Sequence, residues 1–121
     1  AIDSVRAQGA ELVLCTGGMS VDPDDRTPAA IRMSGARIVT YGAPVLPGAM
    51  FLLGYYDDGT PAMGLPACVM YADATIFDII LPRIAAGLRV DKGDIARLGP
   101  GGLCLNCKPC RYPNCSFGKF A

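Results

Sequence analysis

The chain has 121 residues, enough for one domain of ordinary size that buries roughly two-thirds of its unfolded surface. Eleven basic residues balance eleven acidic ones, so bulk electrostatics give no reason to expect a nucleic-acid or membrane partner. Hydrophobic residues make up 51% and mean hydropathy is +0.33, which predicts a sheet covered on both faces, yet no run approaches the ~18 apolar residues of a membrane span. No signal peptide opens the chain, and a reducing, cytoplasmic setting is expected.

Ile2 to Gln8 reads as the end of a helix with Gly9 as its C-terminal cap. Glu11 to Thr16 is an apolar run expected to form a buried strand, and the loop Gly17 to Arg26 follows it. Thr27-Pro28-Ala-Ala-Ile-Arg-Met predicts a helix, with Thr27 at the N-cap, Pro28 in the first turn and Gly35 at the end. Ala36 to Tyr41, Met50 to Tyr56 and Pro61 to Leu65 are three further strand candidates, the last two joined by the turn Asp57-Asp58-Gly59. From about Asp73 to Ala86, apolar residues at Ile76, Phe77, Ile80, Leu81, Ile84 and Ala85 share one helical face, with Pro82 expected to kink the helix and Gly87 to close it. Strands alternating with helices indicate an α/β sandwich. The chain opens partway through such a unit, with no strand to head the sheet, so the natural protein is expected to hold further residues before Ala1.

The diglycine Gly17-Gly18 stands directly after a buried strand, and ligands in open α/β sheets bind at the carboxyl ends of strands. Glycine lets backbone approach an anion closely, the helix near Thr27 offers free N–H groups, and Thr16 and Ser20 add hydroxyl donors. Asp22, Asp24 and Asp25 beside a phosphate would repel it unless a divalent cation lies between them. The same residues also fit a plain tight turn followed by solvated aspartates. With no histidine in the chain and no Ser–Lys or Cys–His pairing evident, an activated side-chain nucleophile is disfavoured and metal-assisted transfer is the reaction class left open.

Thr16-Gly17-Gly18, then Ser20, then Asp25-x-Thr27-Pro28 resembles the glycine loop of the MoeA/MogA/gephyrin molybdopterin-binding domain. Val45-Leu-Pro47-Gly48-Ala-Met resembles the Pro-Gly-Lys-Pro turn of the MoeA branch, and Gly64-Leu65-Pro66-Ala67 its Gly-Leu-Pro-Gly-Asn-Pro turn. Ala74 to Pro82 resembles the helix that follows. The three motifs stand in the family's order, over roughly Glu11 to Gly87. The resemblance implies a three-layer α/β/α sandwich with a mostly parallel sheet, truncated at its N-terminus and spanning residues 1–98. It implies molybdopterin as ligand, held at Thr16, Gly17, Gly18, Ser20, Asp22, Pro47, Gly48 and Pro66. It also implies Mg²⁺-dependent adenylylation or molybdate insertion, with Asp25 at the position of the family's catalytic, metal-handling acid, and a homo-oligomer. Two departures weaken the case for turnover: Ala49 replaces the lysine and Ala67 the glycine of the two turns. CinA-like proteins share a Thr-Gly-Gly loop, which keeps a nucleotide-type ligand open.

Residues 99–121 form a separate cysteine-rich tail. Cys15 and Cys68 are isolated among apolar neighbours, whereas Cys104, Cys107, Cys110 and Cys115 make a C-x₂-C-x₂-C-x₄-C cluster. Four thiolates suit Zn²⁺ or an iron–sulfur cluster, although the ferredoxin C-x₃-C-P ending is missing. An unliganded tail or two disulfides are the alternatives. Besides pterin binding in cofactor biosynthesis, two readings stay open: a non-catalytic pterin sensor that signals through the cysteine tail, and a redox scaffold that carries an iron–sulfur cluster.

Overall fold

The structure, a computed structural model, describes residues 1–120. Short apolar runs form the strands β1 (Val13–Cys15), β2 (Arg37–Tyr41), β3 (Leu52–Tyr55) and β4 (Pro61–Gly64). They make one sheet in the order β1-β4-β3-β2. β1 and β4 are parallel, while β3 runs antiparallel to both of its neighbours. The expectation of a mostly parallel sheet is therefore corrected. The reason is local: the Asp57-Asp58-Gly59 turn is tied by Gly59 N–H to the Tyr56 carbonyl (2.9 Å) and Thr60 N–H to Asp58 (2.9 Å), and so short a link permits only an antiparallel pair. Every residue of β3 and β4 is buried, as the apolar composition predicts for central strands.

The helices are α1 (Ile2–Ala7), α2 (Thr27–Met33), α3 (Ile76–Ala85) and α4 (Lys92–Ala96), with a 3-10 turn at Ala67–Met70. Among the described residues, no helix is long and apolar enough to cross a membrane. The chain divides into two compact units. The first comprises Ala1–Gly42 and Met50–Ala67, and the second Ala43–Ala49 with the residues from Cys68 onward.

The sheet, α1 and α2 belong to the first unit, whose core gathers Val13, Met19, Ile31, Leu52 and Ala62. Arg6 fastens α1 by lying 3.5 Å over the Tyr56 ring and 3.3 Å from the Asp58 carboxylate. Thr27 begins α2 as its first helical residue and Arg26 takes the N-cap, one position earlier than expected. Thr27's hydroxyl is used elsewhere, as described below.

In the second unit, α3 starts at Ile76 because Thr75 and Asp78 form a capping box: Thr75 Oγ1 accepts the Phe77 N–H and Asp78 accepts the Thr75 N–H. Ile76 and Ile80, one turn apart, are fully buried, whereas Ala85 is exposed and leaves the expected apolar face. α4 was not anticipated. Its signature was nonetheless present, since Asp91 and Asp94 form a second reciprocal box (2.8 and 2.9 Å) ahead of the buried Ile95. Asp91→Ala should remove about 1 kcal/mol from this helix. The Asp94 carboxyl is held below its ordinary range, first by the Asp91 N–H and then by the Arg97 guanidinium. A depressed folded-state pKa means that the cap is intact above the ordinary carboxylate range and fails as pH falls through the lowered value. Amide exchange at Ile95, compared between neutral and strongly acidic pH, checks this. Equal protection at both ends would contradict it.

Candidate functional site

The site is built by two parallel strands ending together. One hydrogen bond beyond the sheet, from Leu65 N–H to the Cys15 carbonyl (2.9 Å), holds the chain leaving β1 beside the chain leaving β4. Thr16 to Ser20 and Leu65-Pro66 thus emerge side by side at the carboxyl ends, where sheets of this class present ligands. Gly17 and Gly18 have φ of +77° and +62°, consecutive left-handed residues that other side chains rarely adopt. The bend is open at Gly17, which is exposed and where a methyl group would meet nothing within 4 Å; Gly18 is half-buried, and a Cβ there would stand 2.6 Å from Thr27 Oγ1. Among the described residues, no protein acceptor meets the Gly17 or Gly18 N–H.

Three anchors hold the bend. Met19 turns inward to 1% exposure and lies over Gly64, so close that a Cβ on Gly64 would sit 2.6 Å from its sulfur and terminal methyl. Thr27 Oγ1 donates to the Gly17 carbonyl (2.7 Å) and Thr27 N–H to the Gly18 carbonyl (3.2 Å). This narrows the expectation that the start of α2 offers free amides: Thr27's is spent and Pro28 has none, which leaves the Ala29 N–H without a protein acceptor among the described residues. The third anchor is Asp25. Its Oδ2 accepts both the Ser20 N–H (2.8 Å) and the Ser20 hydroxyl, while the Asp25 N–H donates to the Asp22 carbonyl (2.9 Å) and Asp22 Oδ1 accepts the Asp24 N–H (2.9 Å). Ser20's two donors therefore point into the loop. The donors left without a protein acceptor among the described residues are the two glycine amides and the Thr16 hydroxyl.

The residues expected in the site fall into two groups. Thr16, Gly17, Gly18, Ser20, Asp22, Asp25 and Pro66 lie in the first unit. Pro47 and Gly48 lie in the second, where the Pro47 carbonyl accepts the Ile76 N–H (3.1 Å) and a Cβ on Gly48 would stand 2.6 Å from Ile76 Cγ2, so this turn is seated on the start of α3. Of the residues that fix the bend, Met19 was not expected in the site, and Thr27 entered only as part of the glycine-loop motif and the start of α2. Gly64 was visible only as part of a motif, and nothing in the sequence pairs it with Met19. Half-buried Cys15 borders the bend, and burial pushes its thiol pKa up, which disfavours the thiolate and any nucleophilic role.

All six cysteines are free thiols; Cys104, Cys107 and Cys110 are exposed and Cys115 is half-buried. Among the described residues, no three Cys, Asp or Glu side chains stand close enough together to hold a metal ion as they are.

A diglycine bend whose amides meet no protein acceptor among the described residues thus stands at the joined carboxyl ends of two parallel strands of an α/β domain, the place where sheets of this class bind ligands. The chain belongs to the family described as the probable molybdopterin binding domain, whose sequence model matches residues 1–86. The match ends before the four-cysteine segment. No match is found among curated proteins.

Proposed function

We propose that this domain binds molybdopterin in the biosynthesis of the molybdenum cofactor, with the pterin's phosphate at the Gly17-Gly18 bend. The observation that carries the reading is the pair of glycine N–H groups without a protein acceptor among the described residues, at the ends of β1 and β4. Thr16 would donate its hydroxyl to the same phosphate, and Pro66 would border it. Pro47 and Gly48 are carried over from the resemblance to the MoeA branch. Ser20 and Asp22 act one step back, with Ser20 gripped by Asp25 and Asp22 closing the acidic turn.

Asp25 carries two roles in this reading. Its Oδ2 sets Ser20, and its Oδ1 is the oxygen left for a cation. The donor set suits Mg²⁺ in kind, being hard carboxylate oxygen, but is incomplete without ligand oxygens, since among the described residues no three acids stand together as a metal site. Mg²⁺ binds through one or two carboxylates together with phosphate oxygens, so Asp25 would hold it only with the pterin in place. The ion would supply charge neutralisation at the phosphate, whether the outcome is adenylylation, molybdate insertion or binding alone. One observation favours the second reading, a non-catalytic pterin-binding module: the acid expected to act in catalysis is already engaged in holding its own loop.

Calorimetric titration of the chain with molybdopterin, with and without Mg²⁺, tests the reading. Binding that weakens at least about tenfold in Asp25→Ala is expected, a loss of about 1.4 kcal/mol. An enzyme would lose turnover further in Asp25→Asn, which can still accept the Ser20 donors, whereas a binder would recover affinity and show no turnover to lose. A folded wild-type chain that does not bind molybdopterin would sink the proposal.

A further inference from the structure

The segment beyond the family match has a construction of its own. Gly102 pairs with Phe117 in an isolated bridge, and the Gly118 N–H donates to the Gly102 carbonyl (3.2 Å). These bonds close a loop that contains all four clustered cysteines. Inside it, Cys104, Cys107, Cys110 and Cys115 line a single cavity of about 60 Å³, flanked by Tyr112 and Phe117. No helix or strand runs from 103 to 116, and most of these side chains are exposed. Leu105 and Tyr112 are both 67% exposed, so apolar burial does not hold the loop shut. A segment this short without a core needs a staple: a metal or disulfides.

Charge points to the metal. Lys108, Arg111 and Lys119 lie in or beside the loop, and no acidic residue follows Asp94. Four thiolates around a divalent ion leave roughly two negative charges, which such cations offset. Neutral disulfides would gain nothing from them. Asn106, between the first two cysteines, has φ of +51° and turns the chain there. Its side chain reaches Asp73 (3.3 Å) and accepts from the Cys104 thiol (3.6 Å), which ties that turn to the rest of the unit.

We propose that Cys104, Cys107, Cys110 and Cys115 form a four-thiolate site for a soft metal centre, either one zinc ion or a four-iron cluster. The four thiols share one closed loop but do not yet converge on a point, so ligation itself draws the loop tight, as in small domains whose folding is coupled to metal binding. Each metal–sulfur bond replaces an S–H bond, the protons leave to solvent, and the cysteines are not oxidised. The inference stands apart from pterin binding, because it uses none of the bend residues.

The test is purification of the whole chain without oxygen, followed by zinc, iron and acid-labile sulfide analysis and a count of reactive thiols. Roughly one zinc per chain, or about four irons with visible absorbance bleached by dithionite, is expected, and the ratio tells the two apart. In either case the four tail thiols should be protected from a thiol reagent, so that under native conditions no thiols other than Cys15 and Cys68 react. Cys107→Ser/Cys110→Ser should lose the metal while keeping the far-ultraviolet circular dichroism of the wild type. Should that variant misfold, cobalt(II) titration of the wild-type chain replaces it, with thiolate-to-cobalt charge-transfer bands as the expected result. Absence of both metals with all tail thiols free or disulfide-paired, or no such bands with cobalt, overturns the proposal.

Discussion

Gly64→Ala should be among the most damaging single-methyl changes in the first unit, costing about 1–3 kcal/mol and weakening molybdopterin binding together with stability. The new Cβ would lie 2.6 Å from the Met19 sulfur and methyl and 3.3 Å from Leu52 Cβ. A flexible methionine end ordinarily yields, but Met19 is 1% exposed and Leu52 fully buried, so it has nowhere in the core to go. Met19 is next in sequence to Gly18, so its displacement moves the amides of the bend. Thermal melts of Gly64→Ala, Met19→Ala and the double variant check the mechanism. The double variant should be more stable than the sum of the single losses predicts, with a coupling of at least about 0.5 kcal/mol. Strict additivity would mean that the two side chains do not compete for this space.

Ile76→Ala should destabilise the second unit by about 2–5 kcal/mol, against roughly 0.5–1.5 for Ile76→Val. Ile76 is fully buried at the first turn of α3, and its Cγ2 stands where any side chain on residue 48 would have to go. Its N–H also donates to the Pro47 carbonyl (3.1 Å), and alanine keeps that bond. The loss is therefore one of packing, and the Pro47-Gly48 turn should loosen without releasing. Faster amide exchange at Gly48 and Ala49 with α3 still formed is the expected pattern. Unchanged exchange there would show that the turn does not depend on the isoleucine.

Much of the fold was legible because its signals are local. The apolar run before Thr16, the Pro28 helix start, the Asp57–Gly59 turn and the apolar face of α3 each rest on residues a few positions apart, and all correspond to elements found, although the strand expected to be buried lies at the sheet edge, with Val13 buried and Leu14 44% exposed. Sheet direction departs from what the resemblance implies because the short Asp57–Gly59 turn makes β3 and β4 an antiparallel pair. The site was legible as a diglycine after a strand. The way the bend is held was not, because Met19 over Gly64 and Thr27 against Gly17 join residues 45 and 10 positions apart through side-chain geometry alone. Ser20 illustrates the same gap: its composition fits a phosphate donor, while its hydroxyl faces Asp25.

The Leu65–Cys15 bond has a consequence for movement. Because the chain leaving β1 and the chain leaving β4 share a common root, a ligand that lifts one must tug the other. Occupancy should therefore be felt at Pro66 even by a molecule that touches only the glycines.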